Sequence, residues 1–196
     1  MTTAEKLYTW EEFVALPRDV IQGCELIDGR IVRKHIWDGE ELGMTRDMAS
    51  HTRVVRLAWR YLDVAAVQSR LGAAYAELTI RVGSDRSSSR RPDVAVILGE
   101  MPTDDDALLN MVPEMVVEVV SPNNTAVDMF DKVEEYLAVG IQLVWLALPN
   151  SRTVIAFRPD RTDAFRPGDI ITAEPVLPGL SCPVTDLFPP PATPTQ

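Results

Sequence analysis

Apolar residues follow two different periods along this chain, and each change of period marks an element. "TWEEF" carries a capping box, Thr9 as N-cap and Glu12 three residues on, with Phe13 and Leu16 facing the core and Pro17 as the stop. "CELIDGRIVRKH" reads as two short strands about the Asp28-Gly29 turn signal. From about Arg46 to Arg70, Met48, Val55, Leu62 and Ala66 recur near helical spacing and predict a longer helix. The period then shortens. Ala73 to Gly83 alternates loosely, Pro92 to Leu98 is rich in Val and Ile, and "MVVEVVS" and "QLVWLAL" are almost wholly apolar, so each predicts a strand. A helix is predicted from about Thr125 to Val139, capped by Asn124 or Thr125 and ended by Gly140. Strand, helix and strand in succession predict a right-handed βαβ crossover, and "PNSRTVIAF" a turn into one more strand. Together these make an α/β (α+β) fold: a mixed central sheet flanked by helices, with an N-terminal helix and hairpin.

One residue breaks the pattern. Glu118 stands among Met115, Val116, Val117, Val119 and Val120, a run that suits a strand buried on both faces. A bare carboxylate there costs on the order of several kcal/mol, so Glu118 needs a reason to be in place. Asp93, after Pro92, falls roughly where a neighbouring strand begins. Two acids from adjacent strands, converging at one end of a sheet, make a hard oxygen site suited to Mg²⁺ or Mn²⁺. Such an ion polarises a phosphoryl oxygen and lowers the pKa of an attacking water. A lysine close by would orient that water or balance charge building on the phosphate. The other reading of Glu118 is structural, a glutamate paired with a buried Arg or Lys.

Composition narrows the choice without making it. The 196 residues suffice for one domain with a real core, so residues 1–188 are expected to form a single domain and the Pro-rich 189–196 a disordered tail. No apolar run reaches the roughly 18 residues of a membrane span, and no membrane partner is expected. "MTTAEKLYTWEEF" lacks the layout of a signal peptide, which predicts a cytoplasmic protein with Cys24 and Cys182 reduced in its core. A net charge of −10 speaks against a broad footprint on nucleic acid, whose binding rests on phosphate neutralisation. A local basic surface is still compatible with it. Arg86, Arg90 and Arg91, just ahead of Asp93, are the candidate DNA contact; a merely solvated cluster is the alternative.

The ordered succession of motifs carries a resemblance. "RPDVAVIL", about 20 residues, "VVEVVSP", then "DMFDKVEEYLAVG" and "VWLALP" look like the Uma-type proteins, a bacterial branch of the restriction-endonuclease-like PD-(D/E)XK superfamily. "TWEEFVALP", "CELIDGRIV", His51 at the start of a helix, and the closing "LPGL" and "VTDLF" resemble the same family in the same order. The resemblance implies a restriction-endonuclease-like fold and a metal-dependent phosphodiesterase, with Asp93 and Glu118 as the acidic pair. By resemblance too, Glu25 is a third acid near the metal. The superfamily lysine belongs two residues after the second acid, where this chain has Val120. The Uma-type pattern places a lysine in the following helix instead, and it falls on Lys132. On a helical wheel Lys132 lies at the margin of the stripe formed by Met129, Phe130, Val133, Tyr136 and Leu137.

Bland readings stand beside these roles. Lys132 follows Asp128 at the ion-pair spacing of a helix, Glu25 suits a solvated hairpin position and His51 a structural one, while Glu77, mid-strand, is expected to face the same cleft. The leading expectation is a Mg²⁺- or Mn²⁺-dependent DNA endonuclease that hydrolyses phosphodiester bonds and pairs as a homodimer to cut two strands. Its rival is a catalytically inactive nuclease fold serving as a binding or assembly module. Val144 and Leu148 support that rival, because family members often carry polar groups there.

Overall fold

The computed structural model describes residues 6–34, 46–83, 87–104, 110–122 and 124–188. Arg86, the tail 189–196 and the side chain of Met48 lie outside the described residues. Three sheets appear among those described. A six-stranded mixed sheet has the order β10-β9-β8-β7-β6-β3, a four-stranded sheet the order β2-β1-β5-β4, and β11 (Ile170–Ala173) pairs with β12 (Leu177–Pro183). The six-stranded sheet takes β3 (Gly72–Ala76), β6 (Val94–Leu98), β7 (Met115–Val119), β8 (Leu143–Leu148), β9 (Thr153–Phe157) and β10 (Thr162–Phe165). Its one parallel pair is β7 with β8, joined through helix α4 (Ala126–Ala138).

Local chemistry explains how α4 begins and ends. Thr125 and Asp128 close a capping box at its start. At its end Gly140 adopts φ +103, where a side chain would be strained. Gly140 N–H donates to Leu137 O and Ile141 N–H to Tyr136 O, the paired bonds of a Schellman ending. Ile141 and Tyr136 then share one apolar cluster.

The period-two alternation of the strands divides the central sheet into two faces. Val94, Val96, Val117, Val119, Trp145 and Ala147 face one side, where they meet Val54, Ala58, Leu62 and Ala66 of helix α3 (Arg46–Gln68). The opposite face turns Ala95, Val116, Val144 and Leu146 toward Met129, Val133 and Tyr136 of α4. At the outer edge, Ala74 of β3 gives its N–H to Asp63 and its carbonyl accepts from Trp59 Nε1, so α3 satisfies backbone groups that β3 leaves unpaired.

The smaller sheet holds β1 (Cys24–Ile27), β2 (Arg30–Arg33), β4 (Ile80–Val82) and β5 (Ser88–Arg90). Asp28 and Gly29 both have positive φ, which suits the two-residue hairpin turn between β1 and β2. The single strand expected over residues 73–83 is two strands in different sheets. Glu77, at φ +54, makes the break: β3 stays in the large sheet and β4 joins the small one. A second change of sheet, from β5 to β6, occurs across Arg91-Pro92-Asp93. Both changes happen at one corner, where Glu77 N–H meets Asp93 O at 3.4 Å.

Candidate functional site

Asp93 and Glu118 meet at that corner. β6 and β7 pair Val94 with Val117; continued by one residue, the register sets Asp93 opposite Glu118. Both are buried, at 1% and 3% exposure. The charge on each is met by a different set of partners.

Asp93 Oδ2 accepts the Val119 backbone N–H at 2.7 Å and lies 3.4 Å from His51 Nε2. Its Oδ1 takes the Lys34 ammonium at 2.9 Å. Burial pushes Asp93 toward protonation, but Lys34 and then His51 outweigh it and hold the carboxyl well below its usual range. Burial opposes the charge on His51, and Asp93 more than reverses that, so the imidazole pKa is raised.

Glu118 differs. Tyr136 Oη donates to its Oε1 at 2.6 Å, and Lys132 Nζ lies 3.4 Å from the same atom. Burial raises its pKa; Lys132 opposes this, and the neighbouring charge of Asp93 adds to the rise. Two carboxyls on adjacent strands are thus driven in opposite directions.

Lys132 and Tyr136 lie one turn apart on α4, so both reach the same carboxylate. Asp128 is occupied with the Thr125 cap, whereas the Lys132 ammonium also lies 3.4 Å from Glu25 Oε1. Glu25, buried at 4% exposure on β1, further accepts the Arg91 backbone N–H at 2.9 Å and Arg90 Nη1 at 3.2 Å. Burial works against its charge, but Lys132, the Arg91 N–H and Arg90 prevail and lower its pKa.

Arg90 and Arg91, ahead of Asp93, differ from the open surface expected of them. Arg90 is 7% exposed, and its guanidinium forks onto Glu135 at 2.7 and 2.8 Å. It turns inward because β5 is an interior strand of the small sheet, between β1 and β4, and Glu135 of α4 waits opposite. Arg91 is more exposed and lies 3.4 Å from Glu77 through Nε.

Sequence reasoning missed Lys34 and the polar use of Tyr136. Lys34 could have been found. The Asp28-Gly29 turn pairs Ile27 with Arg30 and Glu25 with Val32. Extended by the Lys34 N–H to Gly23 O bond, that register puts Lys34 on the same hairpin face as Glu25. Tyr136 carried no such signal, because a phenol in an apolar stripe reads as core.

The donor set is chemically suited to a hard divalent ion. Among the described residues no three of His, Cys, Asp and Glu form a ready-made cage. Mg²⁺, however, is commonly held by one or two carboxylates with waters completing its shell, and Asp93 and Glu118 are the two acids here that could supply them.

Comparison with known proteins agrees with this architecture. A crystal structure described as "a putative nuclease belonging to DUF820", from Anabaena variabilis ATCC 29413, superposes with a TM-score of 0.74. The two chains are 23% identical, and the match covers 92% of this chain and 97% of that one. The fold is restriction-endonuclease-like. A DrdV–DNA complex seen by cryo-electron microscopy matches loosely, with a TM-score of 0.34 and 13% identity over 60% of this chain and 12% of that one. No curated protein matches significantly. A family model does: Uma2, described as "Putative restriction endonuclease", matches residues 10–185, from the first turn of the N-terminal helix past the last strand. That span takes in Glu25, Asp93, Glu118 and Lys132 together, and the chain belongs to the Uma2 family.

Proposed function

We propose that the protein is a metal-dependent DNA endonuclease that hydrolyses phosphodiester bonds, with Mg²⁺ or Mn²⁺ held by Asp93 and Glu118. The observation that carries this reading is the convergence of two buried acids with Lys132 at one sheet corner. An ion bound there would supply Lewis-acid stabilisation of phosphoryl oxygens and a more acidic water.

The chain's own residues have separable tasks in this reading. Tyr136 fixes the rotamer of Glu118 through its 2.6 Å hydrogen bond. Lys132 orients the attacking water or balances charge on the phosphate, and Glu25 aims the ammonium of Lys132. His51, beside Asp93, is suited to accept or return a proton. Arg91 and Arg86 are the proposed DNA contacts, whereas Arg90 is held by Glu25 and Glu135. With a net charge of −10, such contacts act locally and weaken steeply with salt. Residues 1–188 would act as one cytoplasmic domain, paired as a homodimer to cut both strands.

The test is nicking of supercoiled plasmid with and without Mg²⁺ or Mn²⁺, wild type against Asp93→Ala. Metal-dependent cleavage that Asp93→Ala abolishes supports the reading; cleavage surviving the substitution refutes it. The second reading is an inactive nuclease fold acting as a binding module, favoured by the apolar Val144 and Leu148 on the interior strand β8. It expects DNA retention without cleavage in any divalent ion.

A further inference from the structure

Lys34 has no role in the reading above, yet its ammonium is among the most fully bonded cations of the corner. Nζ donates to Asp93 Oδ1 at 2.9 Å, to the Arg91 carbonyl at 2.5 Å, and to Glu77 Oε1 and Oε2 at 3.2 and 3.4 Å. Carboxylate and carbonyl oxygens gathered around one positive centre are the ligands that a hard cation chooses. We infer that Lys34 is a tethered counter-ion, seated on Asp93 where a divalent cation would bind, and that the ion enters by displacing it. The inference rests on the reading of Asp93 as a metal ligand and names what that ion competes with.

Three observations support displacement over coexistence. First, Asp93 Oδ2 is committed to the Val119 N–H and His51, so Oδ1, which Lys34 holds, is the less engaged oxygen. An ammonium and a divalent ion sharing that oxygen would sit within about 5 Å of each other, with strong repulsion in a poorly solvated corner. Second, Lys34 is the partner able to leave. Its side chain is 17% exposed against 2% for Asp93, and a lysine stem is long, flexible and ends in a strongly hydrated group. Third, the acids of the corner already have internal cations: Lys34 for Asp93 and Glu77, Lys132 for Glu118 and Glu25, Arg90 for Glu25 and Glu135. A site compensated in this way has its charges met without metal and binds the ion more weakly than an uncompensated one.

The experiment is calorimetric titration of MnCl₂ and MgCl₂ into the full chain: wild type, Lys34→Met and Asp93→Ala. Lys34→Met keeps most of the stem and removes the competing charge. It should bind metal about tenfold to a hundredfold tighter than wild type, the factor carried by a hydrogen bond between charged groups. Asp93→Ala should bind none. Wild-type affinity retained by Asp93→Ala, or no binding by either wild type or Lys34→Met, refutes the metal-site reading and the inference with it. Binding lost in Asp93→Ala but no tighter in Lys34→Met overturns displacement alone. If Lys34→Met does not fold, reductive methylation of wild-type Lys34, read by peptide mass spectrometry, decides. Faster modification at saturating MnCl₂, absent in Asp93→Ala, supports displacement; an unchanged rate overturns it.

Discussion

The two faces of the six-stranded sheet are built on different principles. Under α3, Val94, Val117, Val119 and Trp145 meet Val54, Leu62 and Ala66 in an apolar cluster that also takes in Ile171, Leu177 and Val184. Under α4 the same strands present Val116 and Val144, but β7 also carries Glu118 inward, to Tyr136 and Lys132. The first face gains free energy with every side chain it buries. The second places ionisable groups where burial is costly, so each needs partners from other elements: the hairpin, β5 and α4. The contrast teaches that α3, apart from His51 beside Asp93, stabilises the scaffold, while α4 positions charged groups against the sheet.

The contrast can be broken or sharpened by substitution. The largest effect on stability belongs to the dry face. Leu62→Ala removes a fully buried side chain from α3 and should cost about 2–5 kcal/mol in denaturant unfolding. Cleavage per folded molecule should stay at the wild-type level. A large loss of specific activity without a loss of stability would show that the faces are not separable.

On the charged face the effect moves from stability to rate. Lys132→Ala should lower cleavage by on the order of 10²-fold, the usual yield of a positioned proton-transfer or charge-balancing group. Metal binding followed by calorimetry should change little. Unaltered cleavage would reduce Lys132 to a counter-ion for Glu25 and Glu118.

Glu118→Gln tests whether burial of this charge is a standing cost. The folded pKa is raised above the ordinary 4.5, so the folded state holds its proton longer than the unfolded chain as pH rises. Stability from this group is therefore fully present below the ordinary 4.5 and is lost as pH rises through the higher folded pKa, where the buried charge forms. Removing that charge should leave the metal-free protein as stable at pH 7 as wild type, or more stable by up to about 1 kcal/mol. The metal-induced rise in melting temperature should disappear. A loss of roughly 3–5 kcal/mol in the metal-free melt would instead make Glu118 the indispensable partner of Lys132.

The smallest effect is one of pH. Glu25 has a folded pKa below its ordinary 4.5, so its stabilising charge is complete above that value and is lost as pH falls through the folded pKa. Glu25→Gln should flatten the acid limb of the stability–pH curve below 4.5 and lower stability at neutral pH. An acid limb as steep as wild type would mean that other carboxylates govern it.

Much of this corner was legible one element at a time. The Thr125 cap and Gly140 bound α4 because caps are satisfied within a few residues of the helix end. Asp28-Gly29 set the hairpin register because two successive positive φ values suit a tight turn that joins strands across two residues. An apolar run with one acid marked Glu118 because a buried carboxylate is too costly to keep without partners, which Tyr136 and Lys132 supply. The family motifs, in their order, pointed to the restriction-endonuclease-like fold that the comparisons show.

Other features depended on where distant segments meet. No local signal in "AAYAELTIRVG" says that its two halves belong to different sheets. The break at Glu77 follows from the pairing of Ile80 with Arg90 on one side and Ala76 with Val94 on the other. The same meeting turns Arg90 from a surface cation into a strut between Glu25 and Glu135. It also seats Lys34 on Asp93, 59 residues away in the chain. Turns, caps and periodicity are energies between near neighbours, so the sequence by itself determines them. Which buried charge meets which cation is decided only when the hairpin docks through Leu26 and Ser89, because Coulomb and desolvation terms depend on distances that tertiary packing sets.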